Sequence, residues 1–445
     1  MRRRCRYSFY VSVLIVLTPI FALSAAGQPV APERLDACGR LNVRQFADHV
    51  VDGDWAPAIQ AAIDSVSREN GFNRGATIFL PPRTYRIDDT IIIGTDPGQY
   101  GLHLLGYGAV LHGSAALDAR ELRDPEPEEA EAGLPVILLK TPGGHEGASY
   151  VLEGFTVTRE NRRHGTGIAV GWDDVPKNTT FRNVNVHAQK IGIHIPYAWQ
   201  FRFRDCVLRS NDIGMQMRSH ANNVLIDGCS FRRNHHHGLV IGPDRGQWAS
   251  NSSHISGCIF EANKGYGLLL QSSGEAVVTG NYFEANGNGI GVFTHWRTTI
   301  DTNFFWGYYG HSWRQTPYAD DAHIVIGGQN IGLRLRNNQY REVTAWFRRP
   351  EEGERWEYVP HPEGPSGVKQ HEPRPPEKKP GFVYEERPVG IMVVGTIKGR
   401  HVFDAAPAVG PGAKITTERI AADTGLAYFE YDAATNRFVE GSVLD

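Results

Sequence analysis

A series of glycines punctuates the middle of the chain, and a short apolar run follows each one. After Gly192, Gly214, Gly238, Gly267 and Gly289 come Ile193-His-Ile195, Met215-Gln-Met217, Leu239-Val-Ile241, Leu268-Leu-Leu270 and Ile290-Gly-Val292. Runs this short, bounded by turn residues, read as strands. A second strand pattern stands ahead of them. Phe203-Arg-Asp-Cys-Val-Leu208 aligns with Ile226-Asp-Gly-Cys-Ser-Phe231, Ile255-Ser-Gly-Cys-Ile-Phe260, Val278-Thr-Gly-Asn-Tyr-Phe283, Ile300-Asp-Thr-Asn-Phe-Phe305 and Leu335-Arg-Asn-Asn-Gln-Tyr340. The word Phe-Glu-Ala-Asn occurs twice in this alignment, at Phe260 and at Phe283.

One column of the alignment reads Cys206, Cys229, Cys258, Asn281, Asn303, Asn338, with spacings of 23, 29, 23, 22 and 35 residues. A second column reads Asn211, Asn234, Asn263, Asn286. A unit of this length with three short strands cannot bury its own apolar face, so units must stack. The pattern predicts an all-β right-handed parallel β-helix, with successive coils about 4.8 Å apart. Asparagine in a turn column can bond the turn backbone and its neighbour in the next coil. The three cysteines replace asparagine there and read as stacked buried thiols rather than disulfides, since free cysteine packs as a small hydrophobe. No CxxC spacing points to zinc. The two longest spacings place extra loops at 242–253 and 306–323.

A solenoid needs a cap. Asp54 reads as a helix N-cap, Pro57 sits in the first turn, and Ile59, Ala62, Ile63 and Val66 form one face. A strand, a turn with two prolines and a second strand follow over 75–87. Here "DGDWAPAIQAAIDSVSREN…GATIFLPPRTYRI" resembles the opening of the pectate-lyase-like superfamily, in the branch of rhamnogalacturonases, epimerase-like proteins and phage tailspikes. Arg83 stands where that pattern usually has glycine, and Asn73-Arg-Gly75 replaces the glycine pair. The resemblance covers about residues 40–345 and implies a fold shared by lyases, hydrolases, epimerases and binding proteins.

The expected organisation is a signal peptide at 1–26, a cap with its helix at 40–75 and a β-helix at 76–345. A loop or linker rich in proline and charge follows at 346–388, and a C-terminal β segment at 389–445 covers the last coil. The segment 118–133 reads as a charged, solvated insertion. The N-terminus has a basic start, an apolar stretch and Ser24-Ala25-Ala26 for cleavage, the mark of a secreted or periplasmic protein. An uncleaved anchor is the competing reading. The formal charge of −3 falls to −7 once the four arginines of that segment leave, so the chain has no basic excess for nucleic acid.

The resemblance implies a substrate groove along the strand of 193–196, 215–218, 239–242, 268–271 and 290–293. The turns beside it carry aromatic, basic and acidic residues suited to a polysaccharide. The candidate catalytic residues are Asp244, His295, Asp320 and Asp321. The candidate substrate-binding residues are Trp172, Arg218, His220, Arg245, Trp248, Trp296 and Arg297. Hydrolysis would use paired carboxyls. β-Elimination or epimerisation would use a base together with Arg or a metal ion beside the substrate carboxylate. No cofactor is expected, save Ca2+ if the reaction is elimination. The alternatives are a non-catalytic carbohydrate-binding or surface-assembly protein and a sugar C5-epimerase, and a homotrimer fits related β-helices. The motifs NTD, DD-C, GHG, vWIDH and DPHD are absent from the sequence. His235-His236-His237 reads as a turn rather than a metal cluster. Glu261 and Glu284 read as a surface charge ladder rather than a catalytic pair.

Overall fold

The structure is a computed structural model that describes residues 39–72, 75–120, 133–141, 148–171, 176–242, 251–272, 274–307, 322–341, 343–359, 377–398, 400–411, 413–415, 419–422 and 428–441. The expected signal peptide lies outside them. No helix among the described residues is long and apolar enough to cross a membrane.

Each coil contributes one strand to each of three parallel faces. In one coil these are Gln189–Trp199 on face A, Arg202–Arg204 on face B and Val207–Arg209 on face C. The next strand, Ile213–Asp227, runs through faces A and B without a break. Register on face A follows the repeat, with Ile193 beside Met215, then Leu239, Leu268, Ile290 and Ile324. The chain is a right-handed parallel β-helix, as the period predicts.

In-register stacking turns equal positions into columns. Phe231, Phe260, Phe283, Phe305 and Tyr340 stack inside face C at centroid spacings of 4.9, 4.7, 4.8 and 5.4 Å. That is the distance between neighbouring strands, so each ring covers the next and excludes water. The repeated Phe-Glu-Ala-Asn word is therefore one coil stacked on another. Glu261 and Glu284 are register partners on the outside, and Arg232 reaches Glu261 at 3.3 Å.

Both polar columns form. The Nδ2 groups of Asn211, Asn234 and Asn263 donate to the Oδ1 of Asn234, Asn263 and Asn286, at 3.3, 2.8 and 2.8 Å. In the other column Asn281 and Asn303 donate to Asn303 and Asn338 at 2.9 and 3.0 Å. Such bonds satisfy amides that no water reaches. Cys206, Cys229 and Cys258 are free thiols, buried at the head of that column. The positions preceding these side chains have left-handed backbone, for example Asp205 at φ 55°, Gly228 at φ 62° and Gly280 at φ 64°.

The cap helix spans Ala56–Asp64. Its N-cap position is Trp55, one residue beyond the expected Asp54. Asp54 still holds the entry, because its carboxylate accepts from the amides of Ala56 at 2.9 Å and Asp88 at 3.0 Å. Ile59, Ala62, Ile63 and Val66 are fully buried, so the expected apolar face is the one that closes the solenoid.

The solenoid continues beyond residue 345. Ile391–Val393 pairs in parallel with Ile324–Gly327 on face A, and Ala408–Val409 stacks on Ile391–Val393 in turn. Between Arg341 and Ile391 the chain makes one long excursion. Thr344–Pro350, Glu357–Val359 and Phe382–Pro388 form a three-stranded antiparallel sheet there. This segment was expected to be a loop or linker; its two longer strands pair over seven positions. A hairpin of Tyr428–Asp432 and Arg437–Gly441 pairs antiparallel with Arg419–Ala422 and is the last regular structure among the described residues. Arg437 lies over the Trp356 ring at 4.5 Å and bonds Glu385 at 2.7 Å, which ties the hairpin to the excursion.

Candidate functional site

Face A is the place where the resemblance implies a groove, and the structure fills it. The outward positions His194, Gln216, Val240 and Leu269 are only 3, 7, 3 and 5% exposed. Val240 belongs to a second apolar core that joins it, Leu269, Val325 and Met392 to Ala345, Phe347 and Trp356 of the excursion.

 The excursion therefore lies on the outward side of face A as a packed layer, and burying that much apolar surface makes it part of the fold. The expected groove on this face is corrected accordingly: its outward positions serve packing.

His295 is corrected for the same reason. It is 1% exposed, and burial pushes its imidazole down to about 3. Its Nδ1 lies 2.5 Å from the Thr298 hydroxyl, and its backbone amide donates to Asn330 Oδ1 at 2.9 Å. Nε2 has no hydrogen-bond partner among the described residues. A neutral, enclosed ring of this kind holds a turn together and does not reach a polymer outside. Trp296 is half-buried and covers Gly274, where an added Cβ would come within 2.1 Å of the indole nitrogen. Arg297 is exposed, with Glu275 at 3.4 Å. Arg218 is half-buried near the end of the face A part of its strand. Asp244, Asp320, Asp321, Trp172, Arg245 and Trp248 lie outside the described residues, as does the side chain of His220. Among the described residues no three His, Cys, Asp or Glu side chains converge as a metal site.

Face B is open. A concavity of about 470 Å³ runs across four of its coils and is lined by Thr180, Arg182, Arg202, Arg204, Leu225, Asp227, His254 and Ser256, with Phe203 and Ile226 beneath. The lining follows from the period-two alternation. Phe203 and Ile226 point inward and are buried, so residues 202, 204, 225 and 227 on either side of them point outward. Register sorts the outward residues into two columns. One holds Thr180, Arg202, Leu225 and His254, and the other Arg182, Arg204, Asp227 and Ser256.

Three guanidiniums face one carboxylate within this lining. Arg182 reaches Glu153 of the preceding coil at 3.5 Å, and Arg204 reaches Asp227 at 3.7 Å. Asp227 also accepts from the Ser256 hydroxyl at 3.0 Å. Arg202 has no ion pair or side-chain hydrogen bond among the described residues. Leu225 beside it is 38% exposed, an apolar patch inside a polar groove. At the turn leading into Arg202, Trp199 is 46% exposed, with the Lys177 ammonium 4.6 Å from its ring centre. The arrangement can hold an extended anionic ligand: donors from arginine, hydroxyls for exchange, and flat apolar surfaces for ring faces. Sequence reasoning missed Arg182, Arg202, Arg204 and His254. The signal was present for Arg202, Arg204 and His254, which flank Phe203 and Ile255 of the repeat alignment, while Arg182 lies one coil before that alignment begins.

The chain matches the family described as right handed beta helix region over residues 146–305. No curated protein matches it in sequence. Among solved structures it is similar to DFA-IIIase from Arthrobacter chlorophenolicus A6, at 13% identity and TM-score 0.54, over 87% of this chain and 92% of that one. It is also similar to ORF18 of Geobacillus virus E2, at 14% identity and TM-score 0.50, over 73% of this chain; the match spans 65% of the virus protein's length. These likenesses and the sheet register agree on the right-handed parallel β-helix fold.

Proposed function

We propose that the protein engages an acidic polysaccharide, held in the arginine groove of face B. The observation that carries this reading is the set of three guanidiniums on adjacent coils, with Arg202 unneutralised among the described residues. Guanidinium binds carboxylate through two parallel N–H donors, and its attraction is strongest where no protein carboxylate competes. Leu225 and Trp199 supply surfaces for sugar rings, while Thr180, Ser256, Asp227 and His254 supply partners for hydroxyls. A uronate-containing chain meets all of these demands.

Cleavage of that chain belongs to the same proposal. Its carboxylates are Asp244, Asp320 and Asp321, and the face B arginines neutralise the substrate's own charge. Export through the N-terminal segment brings the protein to such a polymer.

Electrophoresis of the protein through gels containing polygalacturonate or alginate tests the binding. Retardation that weakens about tenfold in Arg202→Ala is expected, the loss of one charge-assisted contact. Migration unaffected by either polymer, or equal retardation of the variant, overturns the reading. Absorbance of the products near the ultraviolet edge identifies elimination, and new reducing ends without it identify hydrolysis. Neither signal would leave binding alone. Asp244→Asn, Asp320→Asn and Asp321→Asn then show which carboxylate the reaction needs.

A further inference from the structure

We infer that face C carries a separate glycan subsite, built on Trp306, for an uncharged hexose unit. The argument is independent of face B. Trp306 ends the strand Phe304–Trp306 and is 39% exposed. Its neighbour Phe305 is fully buried in the ring stack, so the strand beneath the indole is anchored.

Register places a different hydrogen-bonding group on each side of that indole. Glu284 precedes it in the same outward column, and Arg341 follows it. Each is one coil away, about 4.8 Å along the solenoid. Both are held by neighbours. Glu284 accepts from the Tyr282 hydroxyl at 3.0 Å, and the Arg341 guanidinium lies 5.4 Å from the Phe304 ring centre. Tyr282 and Phe304 stack in parallel, 3° apart at 5.5 Å. Trp306, two residues along the strand in the neighbouring column, stands at 82° to Phe304 with the ring centres 6.4 Å apart. A ring stack along the solenoid presents edges outward, whereas an indole turned across it presents a broader surface.

The result is an aromatic platform with an acceptor on one side and a donor on the other. A hexose needs all three: an aromatic surface for its C–H face, a carboxylate to accept from hydroxyls, and a guanidinium to donate to them. The charges fix the class of sugar. Glu284 and Arg341 cancel, and Arg232 offsets Glu261 at 3.3 Å, so the column has no surplus cation to hold a uronate's carboxylate. A neutral sugar needs none. Face C thus differs in its choice of ligand from the cationic groove of face B.

The test is electrophoresis of the intact protein through gels containing a soluble β-glucan, a galactan or a galactomannan, alongside polygalacturonate. At least one neutral polymer should retard the wild type. Trp306→Ala should weaken that retardation about tenfold, and Trp306→Phe should restore part of it. Glu284→Gln should weaken it less, because the amide oxygen still accepts. Arg202→Ala should leave it unchanged, and Trp306→Ala should leave migration in polygalacturonate unchanged. Because Trp306 is on the surface, the thermal melt of each variant should match the wild type. The proposal is overturned if no neutral polymer retards the wild type, or if Trp306→Ala is retarded as strongly. It is equally overturned if Trp306→Ala lowers the mass measured by sedimentation, which would make the platform a contact between copies of the chain.

Discussion

Faces A and B are built from the same coils by the same alternation, and they meet opposite fates. On face A the outward positions include Val240, Leu269, Val325 and Met392, and the excursion covers them with Ala345, Phe347 and Trp356. On face B they include Arg202, Leu225 and His254, and the described residues leave them as a groove. Coil geometry cannot explain the contrast, since it is common to both. Two other things do. From Val240 onward the outward column of face A is apolar, whereas face B is mostly polar and charged. The long excursion also leaves the solenoid from the connection between faces C and A, which delivers it to A. Strand periodicity makes a face; the residues outside it and the nearest long insertion decide whether it packs or binds.

The largest effect of any single substitution should come from breaking the cover of face A. Phe347 is 4% exposed in the second core, so Phe347→Ala should cost about 3–5 kcal/mol, read from urea unfolding. Little or no loss would mean that the excursion is a loose flap and that face A is accessible after all.

Acid should act next, again through the enclosed parts of the molecule. Burial lowers His237 and His323 to about 4 and His295 to about 3. In the unfolded chain each titrates near 6.5. Their folded values are depressed, so the stability they contribute is full above about pH 6.5 and is lost as pH falls towards 4. Each neutral histidine accounts for on the order of 3 kcal/mol over that window. Urea midpoints at pH 7.5, 5.5 and 4.5 should fall in that order, and His323→Gln should flatten the decline. A flat profile in the wild type would show that these rings are hydrated.

Face B should answer in the other sense. Arg202→Ala and Leu225→Ala should each change stability by no more than about 0.5 kcal/mol, the range for surface positions. A larger loss would make the groove structural and remove the contrast with face A. The smallest expected effect is that of salt on stability. The pairs Arg204–Asp227 and Arg297–Glu275 are exposed, and 0.5 M salt should shift the melting midpoint little, since such pairs contribute at most about 1 kcal/mol. Binding of an acidic polymer should weaken markedly at the same salt, which separates the two roles of these arginines.

Much of the fold was legible because it rests on short-range repetition. The columns of Phe260 and Phe283, of Asn281 and Asn303, and of Cys206 and Cys229 are all visible as spacings, and each spacing is one coil. The cap helix was legible from Ile59, Ala62, Ile63 and Val66. The excursion was not, because proline and charge dominate its middle while its strands, Thr344–Pro350 and Phe382–Pro388, find their partners only across that stretch. For the site, the residue columns were readable but their exposure was not. Leu269 and Leu225 are both outward leucines; one is 5% exposed, packed in a core with Phe347 and Trp356, and the other is 38% exposed. That difference is made by segments far away in sequence, which no local pattern records.

The asparagine column has one more property, at its far end. Asn338 donates through its backbone amide and its Nδ2 to the Asp404 carboxylate, at 2.8 and 2.7 Å, and the Tyr340 hydroxyl donates to it at 2.9 Å. An asparagine receives from one coil and gives to the next, so a column of them has no natural last member. An ionised carboxylate only receives. Asp404 is therefore a terminator, a rung that accepts the column and offers nothing onward from its side chain. The antiparallel hairpin laid against Arg419–Ala422 does the same for the backbone, occupying an edge to which another parallel coil could add. A stack of identical coils is by nature a growing filament, and these two devices close the described stack at this end.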